Sequence, residues 1–255
     1  MLFERRGPSA RDVFRRAGGA MRAQLLEALS PTRCAACERP GALVCERCLN
    51  EMPLIDSVCS CTRCGAPFGD LVCTECQGEG LPCGRCLAVA TFEGPVPDII
   101  RAYKDGGELR LAGVVAQMLA DAASHAQVTA PDRYGGLTSG ADGIVFVPAT
   151  AEAYRRRGFD HMGRVASELS ALLGIPVVDA LVKHGRADQR LLGRKGRMSG
   201  AAGAYEVLFP LEGANVLLID DVITTGSTIR AAAGALAGAG AARVDALALA
   251  RVWSS

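Results

Sequence analysis

Cysteine spacing constrains this chain more than any other feature. All eleven cysteines lie between Cys34 and Cys86, and none occurs in the C-terminal two thirds. Ten of them form CxxC pairs: Cys34 with Cys37, Cys45 with Cys48, Cys61 with Cys64, Cys73 with Cys76, and Cys83 with Cys86. Cys59 is left over. Residues 31–87 are otherwise short runs broken by Gly and Pro, with too few periodic apolar residues to build a core. Two residues between thiolates let both sulfurs of a tight turn face one ion, and two such turns complete the tetrahedral site of structural zinc. Metal binding would then supply the folding free energy that packing lacks. Iron–sulfur ligation uses other spacings, and a thioredoxin-like pair would occur once, beside a βαβ unit. The expectation is about two zinc ions, one on Cys34, Cys37, Cys45 and Cys48, the other on Cys61, Cys64, Cys73 and Cys76. The alternative replaces Cys73 and Cys76 by Cys83 and Cys86.

A secreted disulfide scaffold would need an export signal. Residues 1–30 lack its continuous apolar stretch, being broken by Arg5, Arg6, Arg11, Arg15, Arg16 and Arg22. No segment reaches the roughly 18 uninterrupted apolar residues of a membrane span. A cytoplasmic protein without membrane insertion is expected. The net charge of +1 gives no global pull toward nucleic acid. The division expected is an arm or helix over 1–30, a cysteine-rich module over 31–90 and a larger domain over 91–255. The arm, helical over 21–29, reads either as an exposed helix, with Met21 a candidate true start, or as a basic amphipathic segment. It is assigned no function.

From Phe92 onward the pattern is α/β. Helices are expected over 96–104, 108–125, 161–173 and 227–239. Strands are expected over 144–147, 175–178, 216–219 and 244–249, with polar Gly-rich loops at 127–143 and 187–203. Strands alternating with helices predict a mostly parallel, doubly wound sheet.

The densest chemistry lies in residues 216–228, VLLIDDVITTGST. Four apolar residues read as a buried parallel strand, whose carboxyl end is where open α/β sheets bind ligands. Two acids follow, then hydroxyls around Gly226, then a helix. Backbone N–H groups at that helix start, with the Thr and Ser hydroxyls, form a nest for a phosphate. The paired carboxylates can accept hydrogen bonds from a sugar diol. Acids and hydroxyls also cap helices after strands in many α/β proteins, but thirteen residues in this order are far more specific.

This run resembles the phosphoribosyl-diphosphate (PRPP) signature of type I phosphoribosyltransferases. By that resemblance Asp220 and Asp221 hold the ribose hydroxyls, and Thr224, Thr225, Gly226, Ser227 and Thr228 cradle the 5′-phosphate. Together with the cysteine clusters, the run from Tyr103 to Gly107, Val147 and Pro148, and the run from Arg156 to Phe159, the signature is similar to the ComF family of competence-associated proteins. The resemblance implies a type I phosphoribosyltransferase fold behind a double zinc module, PRPP bound with Mg²⁺, and a link to DNA uptake alongside other competence proteins. Two departures bear on catalysis. Asp160 and His161 stand where the family usually has Asn-Gln, and Gly200 stands where the loop carrying Arg197 usually has Asn. Gln189 and Arg197 keep that loop's pattern.

Arg155, Arg156 and Arg157 are candidates for neutralising pyrophosphate, although a run of three Arg is usually a solvated face. His161, opening a helix, reads as a surface residue more readily than as an acid or base. Residues 183–197 read as a lid over the ligand or as a plain loop. No segment reads as a base-binding hood. Three functions stay open: a phosphoribosyltransferase with an unknown acceptor, a PRPP-sensing adaptor without turnover, and a zinc-ribbon module binding single-stranded DNA.

Overall fold

The computed structural model describes residues 31–67, 72–73, 76, 83–184 and 204–253. Residues 1–30, together with Gln189 and Arg197, lie outside the described residues. After a short helix α1 (Glu46–Asn50) come β1 (Cys86–Thr91), α2 (Val96–Lys104), α3 (Leu111–Thr129), α4 (Pro131–Tyr134), β2 (Gly143–Phe146), α5 (Ala151–Arg157) and α6 (His161–Leu173). A small hairpin of β3 (Leu181–Lys183) and β4 (Tyr205–Val207) follows, then β5 (Asn215–Ile223), α7 (Ser227–Gly238) and β6 (Arg243–Arg251). Four strands form one parallel sheet in the order β1-β6-β5-β2, as the alternating pattern predicts; β3 and β4 pair antiparallel by themselves.

Strand burial on both sides explains why β5 and β6 read as continuous apolar runs. Leu217, Ile219, Leu247 and Leu249 face one layer, where α2, α3 and α6 pack through Ile99, Leu119, Val165 and Leu169. Val216, Leu218, Ala246 and Ala248 face the other, covered by Ile229, Ala232, Ala233 and Leu236 of α7 and by the hairpin. The sheet is therefore doubly wound.

The cysteine-rich segment packs on both layers. Cys34, Cys45 and Cys48 join the first, while Cys61, Cys64, Cys73 and Cys76 join the second. Residues between them run along the outer edge of β1, where Ile55 N–H donates to Val89 O at 2.9 Å and Thr91 N–H to Pro53 O at 3.0 Å. The Tyr134 hydroxyl, fully buried, bonds the Ser60 hydroxyl at 2.7 Å, and Arg133 donates to the carbonyls of Val58 and Ser60.

Several expectations shift. The expected loop at 127–143 is partly helical, since α3 continues to Thr129 and α4 follows at once. The 175–178 strand shrinks to a bridge between Val177 and Ile144. β1, which sequence placed in the tail of the cysteine segment, is an edge strand of the main sheet. No helix among the described residues is long and apolar enough to cross a membrane.

Candidate functional site

β5 outruns its neighbour. β2 ends at Phe146, opposite Ile219, and after one further bond from Val147 N–H to Ile219 O the 147–150 turn leaves the sheet. Asp220 and Val222 then pair only with β6, at Ala248 and Ala250. Sequence placed the acids after the strand, whereas they lie within its last turn of pleat. The helices after β2 cover one face and the helix after β5 covers the other, so the chain opens a crevice between these two strand ends. Open α/β sheets bind ligands at such a point. A cavity of about 250 Å³ occupies it, lined among others by Lys104, Thr150, Lys183, Asp220, Asp221 and Thr228.

The loop beyond β5 turns at Gly226, whose φ of 74° is a left-handed conformation that favours glycine, and α7 starts at Ser227. Thr225 Oγ1 lies 3.1 Å from Ser227 Oγ and accepts from Ser227 N–H at 3.4 Å. Thr224, Thr225 and Ser227 are exposed, leaving hydroxyls and the first N–H groups of α7 directed at solvent, where an anion can meet them. Arg251, buried at the end of β6, fastens this loop from beneath by donating to Ile223 O at 3.4 Å and to the carbonyls of Thr224 and Val252.

The two acids differ. Asp220 is buried, and its carboxyl is pushed up by that burial and by the charge of Asp221 beside it. Burial acts on Asp221 in the same sense but is outweighed by a hydrogen bond from His161 and by the charge of Lys104, which hold it below the usual aspartate range. His161 Nε2 is 2.7 Å from Asp221 Oδ2, and the Lys104 ammonium contacts the same oxygen. His161 is thus a buried partner of the acid pair, at 7% exposure, and not the surface residue that its position at a helix start suggested. The Tyr103 hydroxyl donates to His161 O at 2.5 Å and fixes the start of α6 against α2.

Asp160 has a structural task that Asn could not perform unaided. Its Oδ1 accepts from Gly163 N–H at 3.0 Å as the cap of α6, and its Oδ2 accepts from Ala149 N–H at 2.7 Å in the 147–150 turn. Each oxygen faces its own backbone donor, and an amide in the same place would set its NH₂ against one of them.

A second recess of about 510 Å³ adjoins the first, sharing Lys104 and Arg157 and adding Asp105, Gly107, Arg156 and Phe159. Arg157 lies 3.3 Å from Asp105 and Arg156 lies 3.7 Å from it. Arg155 is exposed and lines neither recess. The structure therefore gathers Asp220, Asp221, Thr228, Arg156 and Arg157. Sequence reasoning missed Arg251, and it named Lys104 only as part of a motif and Lys183 only as the first residue of a candidate lid.

Two groups of sulfurs fit a metal. Cys34, Cys37, Cys45 and Cys48 bring their ligand atoms within 4.8 Å of one another, as do Cys61, Cys64, Cys73 and Cys76. Zinc–sulfur bonds of about 2.3 Å in a tetrahedron set sulfurs about 3.8 Å apart. Cys37 and Cys45 stand at 3.6 Å, Cys64 and Cys73 at 3.7 Å. Backbone N–H groups of Cys45 and Cys73 donate to the sulfurs of Cys34 and Cys61, which suits thiolate charge. Both groups could hold zinc, and they follow the first of the two pairings weighed from sequence. Cys86 is instead buried at the start of β1.

Residues 155–254 match the family model described as phosphoribosyl transferase domain. Along more of its length the chain is similar to DNA utilization protein YhgH of Salmonella typhi, 28% identical over 229 residues that cover 87% of this chain and 97% of that protein. YhgH of Escherichia coli K12 is 28% identical over 233 residues with the same coverage. Competence protein F of Haemophilus influenzae is 26% identical over 207 residues, covering 73% and 80%. These relatives fit the resemblance to ComF-type proteins that the sequence motifs carry. The crevice straddles the start of the matched phosphoribosyl transferase segment: Asp220, Asp221 and Thr228 lie inside it, whereas β2, the 147–150 turn and Lys104 of α2 lie outside.

Proposed function

We propose that this chain is of the ComF type and binds PRPP, carried as its Mg²⁺ complex, in the crevice at the carboxyl end of β5. The observation that carries the reading is the adjacency of three features. Two inequivalent buried carboxylates sit at a strand end, a hydroxyl-rich loop opens a helix beside them, and a basic recess with Lys104, Arg156 and Arg157 adjoins both. A sugar diol, a 5′-phosphate and a diphosphate are the groups these three would recognise.

In this arrangement Asp220 and Asp221 accept the ribose hydroxyls, residues 224–228 hold the 5′-phosphate, and Arg156 and Arg157 face the diphosphate. Hard oxygen ligands suit Mg²⁺. Asp221 Oδ2 already accepts from two donors, so the ion would be held chiefly through the ligand's diphosphate. It would supply positive charge there. Two structural zinc ions would fold the segment at 31–90 against the domain at 91–255. The names of the related proteins support service in DNA utilisation or competence; a cytoplasmic location, with single-stranded DNA and other competence proteins as partners, completes the proposal.

Thermal unfolding with PRPP and Mg²⁺ tests the site. Ligand at 100 times its dissociation constant stabilises a fold by about 2.7 kcal/mol. The wild type should show that rise, and Asp221→Asn combined with Thr225→Val should abolish it. A rise of the same size in the double variant refutes the site. Pyrophosphate release from PRPP, with pooled bases and amines as acceptors, separates transfer from binding alone.

A further inference from the structure

We infer that Lys104 is the residue that senses the diphosphate: it holds Asp221 in the free protein and transfers to the diphosphate when the ligand enters. The inference rests on the PRPP reading and adds to it a residue from outside the phosphoribosyl transferase segment.

Three features carry it. First, Lys104 lines both recesses, the one containing the acids and the one containing Arg156 and Arg157. Among the described residues only Arg157 shares that position. Second, Asp221 is doubly provided for. His161 and Lys104 both reach Oδ2, so departure of the lysine leaves a carboxylate that still accepts a hydrogen bond from a buried imidazole. The reverse is not true of His161, whose 7% exposure leaves it nowhere else to go. Third, the neighbouring recess gathers cations around a single acid. Lys104, Arg156 and Arg157 face only Asp105 there, and Arg157 Nε is buried with no hydrogen-bond partner among the described residues. Such a recess lacks negative charge, which a diphosphate supplies.

Lys104 is also placed to move. It is the last residue of α2 and is followed by Asp105 as the cap, so its backbone is held while four methylenes swing the ammonium between the two recesses. A point charge on a flexible stem suits a group that exchanges one anion for another, whereas an arginine fork would favour a single fixed carboxylate.

The test compares two ligands in each protein: PRPP with Mg²⁺, and ribose 5-phosphate, which lacks the diphosphate. Calorimetry on wild type, Lys104→Met and Lys104→Arg gives the affinity ratio. In Lys104→Met the preference for PRPP should shrink by about 10- to 100-fold, the worth of one charge-assisted hydrogen bond, with ribose 5-phosphate binding little changed. Lys104→Arg should keep an intermediate preference. Retained ribose 5-phosphate binding in the same sample shows that the site is folded. An unchanged ratio in Lys104→Met overturns the inference, and so does equal loss of both ligands, because Lys104 would then act through Asp221 alone. Failure of the wild type to bind either ligand removes the PRPP reading itself.

Discussion

Replacing His161 separates its role in Asp221 chemistry from mere packing. The imidazole is 7% exposed and its Nε2 lies 2.7 Å from a carboxylate oxygen. A hydrogen bond to a charged group contributes about 1.5–3 kcal/mol net, and truncating a buried ring leaves a void that adds about 1 kcal/mol more. Lys104 stays on the same oxygen and offsets part of the loss. His161→Ala should therefore destabilise the fold by about 2–4 kcal/mol. For a chain of this size about 2–4 °C accompanies each kcal/mol, so the unfolding midpoint should fall by roughly 4–16 °C. His161→Gln retains an N–H donor of similar reach and should stay within about 1 kcal/mol of wild type.

The pH dependence carries its own sign. The Asp221 carboxyl is depressed from an ordinary value of 3.8, so the stability it adds is fully present above that value and is lost as pH falls through the lower folded value. The gap between wild type and His161→Ala should accordingly narrow below about pH 4. Urea unfolding at pH 7 and at pH 3.5 measures both effects. Equal stability of wild type and His161→Ala would refute the argument, as would a His161→Gln variant no better than alanine.

Two further outcomes are expected. Elemental analysis with X-ray absorption should find about two zinc ions in sulfur-only coordination, Cys73→Ser should lose one of them and Cys83→Ser should keep both; loss in the second variant would restore the alternative pairing. Asp220→Asn should abolish PRPP binding yet raise stability above neutral pH, because a carboxyl pushed up to about 8 takes more protons folded than unfolded between pH 4 and 8, so wild-type stability falls with rising pH across that window. A less stable Asp220→Asn protein at pH 8 would count against the burial argument.

The strand and helix succession was legible because β5, β6, α6 and α7 each bury a long apolar run. The run at 216–228 named Asp220, Asp221 and Thr228 of the crevice because its residues are contiguous. What escaped was made by distance along the chain. His161 and Asp221 are sixty residues apart, and nothing local marks either as the other's partner. Lys104 comes from a helix whose own pattern speaks only of packing, and Arg251 reads as one more strand residue until the 223–224 carbonyls are placed above it. β1 was missed for a different reason. Cys86 is both half of a CxxC pair and the first residue of a strand buried in every position but its last, so no alternation separated strand from cysteine segment. α5 is seven residues with no buried face, and such a helix leaves no periodic signal.

The route of residues 53–55 along β1 bears on solubility. A parallel sheet ending in a strand as apolar as CLAVAT offers unpaired backbone to any other extended chain, and natural proteins cover such edges. Here the cover is a segment anchored on each side by a four-cysteine group. Chelation or thiol oxidation would loosen the cover before it disturbed the helices on either face. The first sign of damage would be turbidity, with helical circular dichroism still intact.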